Sequence, residues 1–174
     1  IEDSMKIKFD QLSYQDDAVN AVVDLFNGQE IRANNFTVFG PELFGQVQTE
    51  VGVGNGFSIS TSVLLNNTQK IQLDNGIQPV NGLNKGFPQF NIEMETGTGK
   101  TFVYFKTILE LNKKYGFTKF VILVPSVAIL EGVKKTYDLT KSFFKSVYDG
   151  VVYKSFVYSS DRPNDVREFA ASGD

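Results

Sequence analysis

Eight consecutive residues, Met94-Glu-Thr-Gly-Thr-Gly-Lys-Thr101, combine the groups needed to hold a polyphosphate. Gly97 and Gly99 let the backbone bend so that successive amides turn toward an anionic ligand. Lys100 places a cation on the β- and γ-phosphates, and Thr101 puts a hydroxyl where Mg²⁺ would sit. Thr96 and Thr98 add hydroxyls to the ligand or pack within the loop. The strict phosphate-loop pattern has glycine five residues before Gly99, where this chain has Met94. Every residue the chemistry requires is nonetheless kept, so the run predicts a phosphate loop and points to a nucleoside triphosphatase that uses Mg²⁺.

Other groups are more equivocal on residue type alone. The Gln15 amide offers a donor and an acceptor side by side, matching the N6 and N7 edge of adenine. It is equally an ordinary residue of a first helical turn. Tyr14 is read as core packing rather than as a base-stacking ring. Glu93 and Glu95 alternate with Ile92 and Met94 and read as the polar face of a strand. Pro125 and Ser126 follow a buried strand, where open α/β sheets place ligand contacts, so Ser126 could hold a nucleic-acid phosphate or simply cap a helix. Lys134, Lys135, Lys141 and Lys145 read as the solvated face of that helix.

Composition excludes much else. With 174 residues, 41% of them hydrophobic, the chain can bury a core. It has no His and no Cys, so no Ser-His-Asp or Cys-His catalysis and no typical zinc site is available. The absence of Cys also removes disulfides and permits a cytosolic location. A net charge of −3 supplies no broad electrostatic footprint for nucleic acid, and no apolar run reaches the length of a membrane span.

The elements that must position these residues are partly legible. Residues 1 to 4 read as a leader and Met5 to Phe9 as a short alternating segment. Ser13 and Asp16 match a capping box, and Ala18, Val19, Val22, Val23, Leu25 and Phe26 form the stripe of a first helix closed by Gly28. Residues 40–86 are rich in Gly, Asn and Gln. They read as an irregular, partly mobile insertion with a loop or hairpin turn at Gly52 to Gly56 and a helix over Ser60 to Leu73. Phe90 to Met94 alternates as a strand, and Phe102, Phe105 and Leu109 recur at helical spacing before Gly116. Lys106, Glu110, Lys113 and Lys114 fall on the other faces of that helix. Phe120 to Val124 is a continuous apolar run, a helix follows from Ser126 to about Phe144, and Val151 to Tyr158 is a third strand. Strand–loop–helix–strand–helix–strand predicts an α/β fold with a parallel sheet flanked by helices.

Taken in order, Tyr14-Gln15, Met94 to Thr101 and Val124-Pro-Ser126 resemble the first RecA-like domain of superfamily 2 helicases and translocases. Phe90 to Tyr104, Leu109 to Phe120 and Val124 to Ile129 look, more narrowly, like the Res subunit of type III restriction enzymes. The close match covers about residues 5 to 28 and 88 to 135. The resemblance implies that Gln15 reads adenine, that Thr96, Gly97, Thr98, Gly99, Lys100 and Thr101 form the nucleotide-binding motif, and that Pro125 and Ser126 touch a DNA strand. It further implies a parent enzyme that hydrolyses ATP, moves along DNA and cleaves it. That parent would work with a modification methyltransferase subunit in the prokaryotic cytoplasm, without a membrane.

The chain departs from the family in one decisive way: no Asp-Glu-x-His or Asp-Glu-x-Asp motif occurs among its residues. It is therefore expected to be a fragment that stops short of that motif, binding nucleotide weakly and not turning over ATP alone. Its expected organisation is an N-terminal segment with the glutamine helix (1–39), the insertion (40–86), and the first part of a RecA-like motor domain (87–174). A type I restriction motor subunit or a DNA-repair helicase remains the nearest alternative. A small nucleotide kinase fits less well with Tyr14-Gln15 and Val124-Pro-Ser126, and a pure binding module fits less well with an intact Lys100-Thr101 pair.

Overall fold

Local signals set most of the helices. In the computed structural model, which describes residues 12–39, 49–84 and 86–172, α1 runs Ser13–Val23 and tightens into a 3₁₀ turn at Asp24–Phe26. Gly28, at φ 96°, takes the left-handed conformation that ends such a turn at no steric cost. The capping box does not form. The N-cap is Leu12, whose carbonyl accepts from the Gln15 and Asp16 amides. Asp16, which would have bonded back, is instead paired with Lys106. Tyr14 is also not in the core, being 45% exposed. Helix α2 (Thr61–Asp74) is capped by Ser60, whose hydroxyl accepts from the Val63 amide. Its Thr68 is buried and donates to the Leu64 carbonyl, so a residue of low helix propensity is accommodated by a local hydrogen bond.

Helix α3 (Lys100–Tyr115) begins at the phosphate-loop lysine and ends at Gly116, φ 69°, whose amide donates to the Asn112 carbonyl. Helix α4 (Val127–Val147) starts at the Ser126 cap and runs three residues beyond the predicted end. Helix α5 (Pro163–Ala171) was not foreseen; Pro163 occupies its first position, where a missing amide hydrogen costs nothing.

Two compact units are formed. The first holds α1, α2, α3 to Glu110, and α4. Its core gathers Val19, Val23, Leu25, Leu64, Val103, Leu109, Phe144 and Tyr148. Phe102 stacks on Phe144 at 5.1 Å and Phe105 tilts onto Tyr137 at 5.9 Å, joining α3 to α4. Aromatic pairs of this kind add about 1 kcal/mol each beyond their burial.

The second unit holds residues 29–58, 111–121 and α5. Within it β1 (Ala33–Phe39) pairs antiparallel with β2 (Thr49–Asn55), in a register that sets Ala33 opposite Asn55 and Phe39 opposite Thr49. The stretch from Gly52 to Asn55, read from sequence as a loop or turn, is thus strand, while the helix expected over Ser60 to Leu73 is present as α2 and residues 77–84 carry neither helix nor strand. Residues 40–48 of it, and Met5 to Phe9, lie outside the described residues. Asn55 extends the pairing with its side chain: Oδ1 accepts from the Thr118 and Lys119 amides while Nδ2 donates to the Lys119 carbonyl. Tyr115 and Phe117 are buried in this unit, with Phe57 at 5.3 Å from Phe117.

The predicted parallel sheet is absent among the described residues, where the sheet present is the β1–β2 hairpin. Phe90 to Met94, Phe120 to Val124 and Val151 to Tyr158 carry no strand pairing. A strand cannot satisfy its own backbone, and parallel pairing needs the segments side by side. Here 88–95 belongs to one unit and 152–158 to the other, and 117–124 is divided between them. Val121 and Leu123 are accordingly 73% and 89% exposed. No helix among the described residues is long and apolar enough to cross a membrane.

Candidate nucleotide-binding site

The loop before α3 has the bend its glycines permit. Gly97 and Gly99 sit at φ 85° and 83°, a region closed to most side chains. Among the described residues the amides of Gly97, Thr98 and Gly99 make no backbone hydrogen bond, so this run of donors is available to an anion at the start of a 16-residue helix. A Cβ built on Gly97 meets nothing within 4 Å, so it is the backbone conformation rather than crowding that calls for glycine there. A Cβ on Gly99 would lie 2.6 Å from Gln15 Nε2. Gly99 is therefore required for its φ, and its lack of a Cβ also lets the Gln15 amide approach the loop.

That approach joins two sequence-predicted residues that are 83 positions apart. Gln15 Nε2 donates to the Thr98 carbonyl at 2.9 Å, and Gln15 is 7% exposed. Its Oε1 accepts no hydrogen bond among the described residues. Thr98 Oγ1 donates to the Glu95 carbonyl at 2.7 Å, so this hydroxyl serves the loop's own shape. Lys100 Nζ donates to the Met94 and Glu95 carbonyls, both at 2.6 Å. The ammonium is thus folded over the loop, held by neutral acceptors that a phosphate oxygen outcompetes electrostatically. Sequence reading missed these two carbonyls, since backbone oxygens leave no trace in residue type. Glu93 and Glu95 are exposed, as a polar face would be, although on no strand.

Thr101 stands at the second position of α3. Burial raises the pKa of the Tyr104 phenol one turn along, an effect the Thr101 side chain opposes. The Tyr104 hydroxyl is sealed from solvent and has no hydrogen-bond partner among the described residues. No cluster of three acidic residues capable of holding a metal occurs among the described residues. Thr101 offers a single neutral hydroxyl at the start of α3, so Mg²⁺ held there would take its other oxygens from phosphates and water.

Lys106 was read as one of the outer faces of α3. Its side chain is in fact only 16% exposed and is ion-paired with Asp16 of α1. One turn on, Glu110 Oε1 accepts from the Tyr148 hydroxyl at 2.7 Å. The Tyr148 pKa is pushed far up, first by burial, then by this hydrogen bond and the negative charges of Glu110 and Asp16.

The second predicted contact region lies apart from this network. Ser126 Oγ accepts from the Ile129 amide at 3.3 Å, capping α4, and Pro125 is exposed. No hydrogen bond among the described residues joins either to the loop. Of the α4 lysines, Lys134 pairs with Glu131 at 2.8 Å and Lys141 lies 5.8 Å from the Tyr137 ring centre. Lys135 and Lys145 are exposed.

Comparison with known proteins points to one family. A family model described as type III restriction enzyme, res subunit, matches residues 8–165. The Res subunit of the EcoPI type III restriction-modification enzyme of Escherichia phage P1 is 38% identical over 99 residues, 55% of this chain and 10% of that protein. The EcoP15I Res subunit of Escherichia coli is 33% identical over 124 residues, 70% of this chain and 13% of that one. The StyLTI Res subunit of Salmonella typhimurium is 46% identical over 61 residues, 34% of this chain and 6% of that one. No solved structure matches. The chain thus spans about a tenth of the curated relatives it matches. It belongs to the family of type III restriction enzyme Res subunits.

Proposed function

We propose that this chain is the nucleotide-binding start of an ATP-dependent DNA translocase and endonuclease, the Res subunit of a type III restriction enzyme. One observation carries the reading: among the described residues the left-handed pair Gly97 and Gly99 leaves a run of amides without backbone partners at the head of α3, and Lys100 rests on the Met94 and Glu95 carbonyls of the same loop. Mg²⁺·ATP supplies the transferable phosphoryl group. Around it the amides of residues 97 to 99 hold phosphate oxygens, Lys100 exchanges the Met94 and Glu95 carbonyls for the β/γ-phosphates, and Thr101 contributes its hydroxyl to Mg²⁺. Gln15 reads the adenine edge with the Oε1 that is not engaged on Thr98. Pro125 and the α4 N-terminus at Ser126 contact a DNA phosphate.

The finer architecture follows the same reading. Residues 1–39, 40–86 and 87–174 form a glutamine-helix segment, an insertion and the first part of a RecA-like motor. Phe90 to Met94, Phe120 to Val124 and Val151 to Tyr158 pair as a parallel sheet in the whole protein, which covers the exposed Val121 and Leu123. The enzyme works in the prokaryotic cytoplasm with a modification methyltransferase subunit. Because the sequence has no Asp-Glu-x-His motif, the 174-residue chain binds nucleotide without turning it over. Lys100→Ala in the full-length protein should lower DNA-stimulated ATP hydrolysis by about a hundredfold or more. Full hydrolysis by that variant, or multiple turnover by the 174-residue chain, would refute the reading.

A further inference from the structure

The first turn of α1 lacks the anchor that helices usually have. Leu12 offers no side chain to the open amides, and the carboxylate that a capping box would have used, Asp16, is turned away. What holds this turn is α3. Asp16 carries the ion pair with Lys106, and its neighbour Gln15 donates to the Thr98 carbonyl of the loop. Lys106 lies six residues beyond Lys100, about 9 Å along the helix, so the two ties grip α3 and its preceding loop at separate heights. The Lys106 ammonium is largely withdrawn from water, with Glu110 one turn on already engaged by Tyr148. Removing Lys106 would leave the Asp16 carboxylate without its ion-pair partner. The turn that presents Gln15 would then be released.

We propose that Lys106 is a positioning residue for the nucleotide site. Through Asp16 it fixes the first turn of α1, so that Gln15 stays on Thr98 with its Oε1 aimed at the base, and it thereby sets the selectivity for adenine over guanine. This rests on the assignment of Gln15 as the adenine reader. The chemistry is specific: Oε1 can accept from the exocyclic amine of adenine, whereas guanine presents a carbonyl there and repels it. A Gln15 that wanders loses this discrimination while the phosphate contacts, made by the loop itself, remain.

The test is the ratio of ATP to GTP affinity of the full-length protein, measured for Gln15→Ala, Lys106→Met, Asp16→Asn and the exchanged double variant Asp16→Lys with Lys106→Asp. Lys106→Met should lower ATP affinity about tenfold and leave GTP affinity unchanged, matching Gln15→Ala. The exchanged pair should recover most of the ratio. Should Lys106→Met fail to fold, Asp16→Asn reads the same contact from its more exposed partner. Equal losses for both nucleotides, or an intact ratio in Lys106→Met while Gln15→Ala loses it, would overturn the positioning role alone. An intact ratio in Gln15→Ala would remove the adenine reader first and the positioning role with it.

Discussion

Helix α3 and the apolar run from Phe120 to Val124 are separated by only four residues, yet they end in opposite conditions. In α3, Val103 and Leu109 are buried and Phe102 stacks on Phe144. In the run that follows, Leu123 is 89% exposed. Both segments are apolar enough for a core. The difference is where their backbone hydrogen bonds come from. A helix closes them within itself and then needs only a face to bury, whereas a strand needs a neighbour before its side chains have a face at all.

The largest effect that probes this contrast is Leu109→Ala, which should cost about 2–5 kcal/mol in denaturant unfolding as a cavity opens under α3. A loss below that range would mean that α3 does not carry the core. Tyr148 gives a smaller effect with a pH signature. Its folded pKa lies above the ordinary tyrosine value, so the neutral phenol is favoured by the fold. The stability it contributes is complete below about pH 10, the unfolded value, and declines as the pH rises beyond it. Tyr148→Phe should therefore cost about 1 kcal/mol near neutral pH, with the gap from wild type narrowing at about pH 11. A constant gap across that range would sink the assignment of the Glu110 contact. The smallest effect is Leu123→Ala, within about 0.5 kcal/mol in the 174-residue chain. In the full-length protein the same change should approach the cost of Leu109→Ala, and slow amide exchange should appear at residues 121 to 123. Equal costs in the short chain would erase the contrast.

The same distinction governs what residue order reveals. Gly28, Gly97, Gly99 and Gly116 were legible because a positive φ is a demand of one residue on itself. Ser126 was legible as a cap because its partner lies three residues on. Ser13 misled for the opposite reason: the Asp16 that should have completed its box answers to Lys106, 90 positions away. The bend of the loop and the start of α3 could be read from the glycines and from Lys100. The carbonyls that hold the lysine, and the Gln15–Thr98 bond, could not, because nothing local encodes a distant acceptor. Gln15 stands out through the resemblance to restriction subunits, since its residue type alone favours a plain capping role. Strand β2 is hidden in the sequence because Gly52 and Gly54 disguise it as a turn, and their pairing with β1 is again non-local.

Asn55 carries a consequence for how the chain ages. Four Asn-Gly pairs occur in the sequence, at Asn27, Asn55, Asn75 and Asn81. Such pairs deamidate when the glycine nitrogen attacks the side-chain carbonyl and closes a succinimide. At Asn55 both reactants are restrained, the amide by its bonds to Thr118 and Lys119 and the Gly56 nitrogen by the Arg32 carbonyl at 3.1 Å. Asn81 and Gly82 lie exposed, with no hydrogen bond among the described residues. Storage should therefore convert Asn81 to aspartate and isoaspartate well before Asn55. Once position 55 does convert, the new carboxylate can no longer donate to the Lys119 carbonyl, and the damage is recorded in the hairpin's grip on its neighbour.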